Sequence, residues 1–341
     1  VNASQRREVQ FAQNLSQVFL GENMKCASCH DSFINDWKLT DAYGLAAIVA
    51  DEPLEIHHCD KPTGKYAKTQ FPFPELGDID ATKPKSERLK QTAALMTSPK
   101  NGRFARTIVN RLWQRLLGRG VVEPVDMMSS EPWNADLLDY LAVHLIDSNY
   151  DLKKTIALIT SAQTYQSHTV GRHVGPKEEY RFRGPIAKRL TAEQFIDALW
   201  KITGQAPAKV AAKGADKGDR GFVRASLVHS SYLMRALGRP NREQVVTVRP
   251  EDLSTLQALE LNNGKDFTEL LDKGASSLLE RFPESTASTL IIEVYRQALS
   301  RDPTPDELTH VGSLFEGPPQ PETVADLLWM IFLLPEFQLL P

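Results

Sequence analysis

The sequence predicts a mainly α protein in which a small N-terminal module is joined by a Pro-rich loop to a larger multi-helix domain. Three observations predict it: apolar residues recur at helical spacing through most of the chain, two capping boxes mark helix starts, and no β-hairpin turn signal stands out. With 341 residues, 41% of them apolar and 24% charged, the chain is long enough for two domains with cores of their own.

Val9, Ala12, Leu15, Val18 and Phe19 share one helical face, and Gly21 comes next as a stop signal. A second apolar stretch, 43–49, reads as a short helix packed behind the residues that come after Gly21. The pattern is lost over 51–84, which carries Pro53, Pro62, Pro72, Pro74 and Pro84; this stretch is expected to be loop, with a domain boundary near its end. The expected domains are therefore 1–84 and 85–341. From Glu87 onward the pattern is helical. Phe104, Ile108, Val109, Leu112, Trp113, Leu116 and Leu117 form one face that ends at Gly118, and Trp113 is expected to be buried because that face is too wide to leave in water. Residues 137–146 and 152–159 continue in the same style. Thr191 with Gln194 makes a capping box ahead of Phe195, Ile196, Leu199 and Trp200, and Thr304 with Glu307 makes another, with Pro305 at the first helical position. Residues 204–221, rich in Ala, Lys and Gly, are expected to form a flexible surface loop.

The 40 basic and 43 acidic residues nearly cancel, so no global field recruits nucleic acid or an anionic membrane. The longest strongly apolar stretch, 327–334, falls far short of the roughly 20 residues that cross a bilayer. No basic segment followed by an apolar one opens the sequence, and the chain reads as a mature or truncated piece. Its three cysteines are too few for a disulfide framework and point to one local site.

That site is Cys26-Ala27-Ser28-Cys29-His30. In such a run the two thiols can add across the vinyl groups of a haem, and the adjacent histidine is held where its imidazole ligates the iron from the proximal side. One rival reading is structural zinc, held by Cys26, Cys29 and a pair drawn from His57, His58 and Cys59. Another is a redox-active dithiol, but that motif follows a strand, whereas the residues before Cys26 follow a helix and a Gly stop.

Phe19-Leu20-Gly21, the run from Cys26 to Asp31, Asp36-Trp37 and Tyr43-Gly44-Leu45-Ala46-Ala47 together resemble the C-terminal part of the planctomycete-type c-type cytochrome domain. The remainder of the chain resembles the usual companion of that domain, the planctomycete-specific domain of unknown function. The likeness runs through Asn101-Gly102-Arg103-Phe104, Val109-Asn110-Arg111-Leu112-Trp113, Tyr150-Asp151-Leu152-Lys153, Gly238-Arg239-Pro240-Asn241-Arg242 and Pro335-Glu336-Phe337. It implies a periplasmic, extracellular or cell-surface protein with one covalent haem c, in a family often associated with polysaccharide breakdown. Members of that family usually carry a longer cytochrome region before the motif, often with another haem domain upstream. The partners expected are thus a redox protein or another haem domain, and a polysaccharide-related substrate.

A sixth ligand on the iron favours electron transfer, whereas an open position favours chemistry there. His57 and His58, in the irregular stretch after the motif, are the candidates for that ligand, with Met127 and Met128 next. Cys59 is expected to be a small buried hydrophobe. Arg235, Arg239, Arg242 and Arg249 crowd one turn and could hold haem propionates or an acidic sugar, with Arg239 and Arg242 at its centre, or could form surface ion pairs. No catalytic triad, phosphate-binding Gly loop or HExxH motif is present, and no catalytic residue is assigned. The leading expectation is an extracytoplasmic c-type cytochrome. The alternatives are a haem-dependent oxidoreductase acting on a carbohydrate-type substrate, and a structural or assembly module with an architectural haem.

Overall fold

The computed structural model describes residues 3–171, 180–208, 223–241, 245–250 and 252–340. Helices dominate, as the periodicity predicts, and the chain divides into two compact units, Val1–Ile186 and Ala187–Pro341.

The first unit opens with α1 (Arg7–Leu15), which continues through a π-helical turn, Ser16–Leu20, and stops at Gly21 in the left-handed conformation, φ 63°. The stop requires glycine twice over: a Cβ there would take an unfavourable φ and would collide with the Met128 side chain. The helix α2 (Leu39–Ala47) packs on α1. Then comes a departure from expectation. The Pro-rich stretch contains an antiparallel hairpin, β1 (Glu55–His58) and β2 (Lys61–Tyr66). His58 pairs with Lys61, so Cys59 and Asp60 form the two-residue turn. Neither residue is the Gly or Asn that usually announces such a turn, and Pro62 within β2 argues against a strand, which is why the pattern hid it.

After α3 (Lys85–Met96) comes α4 (Gly102–Leu117), which ends at Gly118 in the left-handed region, φ 86°. It packs on α5 (Ala135–Asp147), followed by α6 (Leu152–Ser161) and α7 (Gln163–Gln166). Trp113 is 5% exposed, buried beside Trp133 and Phe182 as its helical face predicts. One core gathers Val9, Leu20, Met24, Tyr43, Ile48, Phe71 and Met96 around α1 and α2. A second gathers Val109, Trp113, Leu117, Leu141 and Leu145 around α4 and α5. The compact units part well beyond the Pro-rich stretch, because α3 and the elements after it pack with the N-terminal residues.

The second unit contains β3 (Lys188–Arg189), α8 (Ala192–Thr203), α9 (Tyr232–Ala236), α10 (Thr255–Asn263), α11 (Lys265–Arg281), α12 (Ala287–Leu299), α13 (Pro305–Gly312), α14 (Pro321–Leu333), α15 (Pro335–Gln338) and β4 (Leu339–Leu340), which pairs with β3. Its core runs through Phe195, Leu199, Phe267, Leu278, Leu290, Val294, Leu328 and Phe332. Both expected capping boxes form, at Thr191 with Gln194 and at Thr304 with Glu307. Most of the expected 204–221 loop, 209–221, lies outside the described residues. Among the described residues no helix is long and apolar enough to cross a membrane.

The Thr191 hydroxyl accepts from the Gln194 backbone N–H at 3.3 Å, and the Gln194 side chain accepts from the Thr191 N–H at 2.9 Å. Thr191→Ala should lower the stability of the second unit by about 1 kcal/mol, while Thr191→Ser should retain it. Urea unfolding curves of the two variants check this; equal midpoints would contradict it.

Candidate functional site

The motif is one tight turn. The Ser28 amide donates to Met24 O at 2.9 Å, and the Cys29 and His30 amides both donate to Cys26 O, at 3.0 and 3.1 Å. This winding puts Ala27 and Ser28 inside while Cys26, Cys29 and His30 remain partly exposed. Ser28 anchors the inner side: its hydroxyl donates to Lys25 O at 2.8 Å and accepts from the Gln13 amide of α1 at 2.6 Å. The residues between the cysteines thus fix the turn, and the three reactive side chains stay partly exposed on it.

His30 Nδ1 lies 2.7 Å from the Asp31 carbonyl oxygen. A carbonyl can only accept, so Nδ1 carries the proton, and in the neutral ring Nε2 is then the nitrogen with the lone pair. That is the state a metal-ligating imidazole needs, with its second nitrogen held by a backbone acceptor. The Asp31 carboxylate accepts from the Leu39 amide at 2.9 Å and ties the motif to the start of α2. Phe33 lies against the imidazole, ring centres 4.6 Å apart, and is 88% exposed; Ile34 beside it is 59% exposed. The histidine thus has an exposed aromatic neighbour against which a flat apolar cofactor could rest.

Behind the motif lies a residue that sequence reasoning missed. Glu22 is wholly buried, with Oε2 accepting from Trp37 Nε1 at 3.0 Å and from the Ser129 hydroxyl at 3.2 Å, while Oε1 faces the Arg103 guanidinium at 3.3 Å. Glu22 precedes the cysteines, Trp37 comes after them, and Arg103 belongs to α4, so one carboxylate clamps both ends of the motif loop to a helix. Burial pushes the Glu22 carboxyl up and the Arg103 guanidinium down. Desolvation therefore outweighs the attraction of the pair at each partner. Arg111 of α4 adds a second clamp, donating to the Gln17 and Val18 carbonyls of the π-helical turn and to Asp126 at 2.8 Å.

The hairpin tip touches the motif. The Cys59 amide donates to Cys29 O at 2.7 Å. Burial, with Cys59 next, pushes the Cys29 thiol up. Cys59 is exposed, which corrects its expected burial: the tight turn directs its side chain out of the core. His57 and His58 stand on β1 rather than in irregular chain, His57 half-buried and His58 exposed. Met128 is buried, its sulfur accepting from Asn110 at 3.4 Å, and the strand-like bridge of Met127 to Glu22 holds this stretch against the residues just before the motif.

Arg239 belongs to the second unit. Its guanidinium donates to the carbonyls of Ala225, Ser226 and Val228 at 2.9, 3.3 and 3.1 Å and faces Glu193 at 3.6 Å. Arg249 shares Glu193 at 3.1 Å. Arg242 lies outside the described residues. Among the described residues no three His, Cys, Asp or Glu side chains converge to hold a metal ion, so the four-ligand zinc set is not assembled.

The motif fits a covalent haem on three of these features: two partly exposed thiols on one turn, an imidazole whose Nδ1 is engaged by a backbone carbonyl, and an exposed aromatic ring next to it. Over residues 88–315 the chain matches PSD1, described as a protein of unknown function (DUF1553), and over residues 1–53 it matches PSCyt2, described as a protein of unknown function (DUF1549). No curated protein and no solved structure matches it.

Proposed function

We propose that this chain, which belongs to the PSD1 family and carries a PSCyt2 segment ahead of it, is an extracytoplasmic c-type cytochrome that passes electrons through a haem bound covalently at Cys26 and Cys29. One observation carries the reading: Cys26, Cys29 and His30 are partly exposed on a single turn, with the His30 Nδ1 proton engaged by the Asp31 carbonyl. A bound haem supplies one-electron redox chemistry. The chain's residues supply the rest. The two thiols would anchor the haem, His30 Nε2 would ligate it, Phe33 would shield the imidazole beside it, and the buried Ser28 and Glu22 keep the turn from shifting. The redox partner is a protein or another haem domain, and a polysaccharide-related substrate belongs to the wider system.

His57 or His58 serves as the sixth ligand, which makes the protein a carrier rather than a catalyst at the iron. Both residues lie on the strand that leads into the Cys59 turn, whose amide contacts the motif. Oxidised and reduced absorption spectra and spin-state measurements of wild type, His57→Ala and His58→Ala test this. The wild type should be low-spin and should bind carbon monoxide poorly, and one of the two variants should turn high-spin. High-spin wild-type iron that binds carbon monoxide readily would replace the carrier by an enzyme. Two variants that both stay low-spin would move the ligand elsewhere, with Met127 or Met128 next.

A further inference from the structure

We infer that Cys59 is a redox partner of Cys29, and that a Cys29–Cys59 disulfide in the haem-free chain gates haem attachment; the gate rests on the proposed haem, whereas the disulfide does not. The geometry is that of a pair poised to join. The Cys59 amide donates to Cys29 O at 2.7 Å. The covalent geometry on either side of that bond keeps the two Cα atoms within about 7 Å of each other, a range that overlaps the roughly 4.4–6.8 Å that a disulfide spans. Cys59 is held at φ 55°, a left-handed conformation that costs a non-glycine residue free energy and that the two-residue turn imposes. The Asp60 carboxylate accepts from the Ala3 amide at 2.9 Å, which pins the same turn to the N-terminal segment. Both cysteines are at least partly exposed, so an oxidant reaches them.

The oxidant is a disulfide of small-molecule or protein type, as oxidising compartments supply. The sulfur of Cys59 attacks one oxidant sulfur and releases the other as a thiolate. The sulfur of Cys29 then attacks Cys59 in the mixed disulfide and releases the second thiolate. The two cysteines lose two protons and two electrons, and the oxidant becomes two thiols. A Cys29 held in this bond has no S–H to add to a vinyl group, so attachment at that position waits for reduction.

The test uses the whole chain produced without haem, equilibrated in glutathione buffers from reducing to oxidising, alkylated, digested without reduction and mapped by mass spectrometry. The expected product at the oxidising end is a peptide pair cross-linked through Cys29 and Cys59, with Cys26 alkylated. A Cys26–Cys29 cross-link as the main product, or three alkylated cysteines throughout, overturns the pairing. In a second arm, wild type and Cys59→Ser are supplied with haem under both conditions. Under oxidation the variant should gain several-fold more covalent haem than wild type, and the two should be equal under reduction. Equal yields under oxidation overturn the gate. If neither protein takes haem under reduction, the haem reading and its gate both fall, while the cross-link map stands on its own result.

Discussion

The double variant Cys26→Ser, Cys29→Ser is expected to carry no haem on the denatured polypeptide, a complete loss where each single variant keeps one thioether bond. Serine is close to cysteine in size but its hydroxyl does not add to a vinyl group, so the change removes the chemistry and spares the turn. The turn survives because its fixed side is Ala27 and Ser28, which the substitutions leave alone, and because its hydrogen bonds run through the backbone. Far-ultraviolet circular dichroism should therefore match wild type. Haem absorbance that persists on the denatured double variant would place the attachment elsewhere. A wild-type protein that contains zinc in place of haem, lost in the variant, would revive the metal reading.

Glu22→Ala should destabilise the first unit by about 3 kcal/mol, because it leaves the largely buried Arg103 without its counter-charge and takes the acceptor from Trp37 and Ser129. Glu22→Gln should cost less, since its amide oxygen can still accept from Trp37. Urea unfolding followed by tryptophan fluorescence gives both numbers, and an Ala variant as stable as wild type would show that the clamp is idle. The pH dependence has a fixed sign. Burial raises the Glu22 carboxyl in the folded state, so between its ordinary value and the raised one the folded chain binds more proton than the unfolded chain. This group's contribution to stability is therefore fully present below the ordinary glutamate value and falls as pH rises through the folded one. That slope should be absent from Glu22→Gln.

Much of this was legible in the sequence. The face from Phe104 to Leu117 foretold α4 and the burial of Trp113, Gly21 and Gly118 foretold the helix stops, and the two capping boxes foretold the starts of α8 and α13, because each signal is local. The hairpin was not legible, since its turn is Cys59-Asp60 and its second strand contains Pro62, both against the usual chemistry of such elements. Glu22 was invisible for another reason. A single Glu near a motif has no pattern, and its partners Trp37, Arg103 and Ser129 come from three separate stretches that only the fold brings together. Cys59 was misjudged from composition, which predicts burial for a lone cysteine but says nothing of a tight turn that leaves it exposed with its amide on Cys29 O. Arg239 stood out as a cationic cluster; the carbonyls that receive its guanidinium carry no signature in a sequence at all.

Acid–acetone extraction of the wild-type chain, isolated from an oxidising compartment with its haem supply intact, tests covalent haem most directly. The denatured polypeptide should retain its haem and give the pyridine haemochrome spectrum of a c-type centre. Haem that passes entirely into the acetone, or a protein with no Soret band and a stoichiometric zinc content, would contradict the attachment at Cys26 and Cys29 on which the electron-transfer account depends.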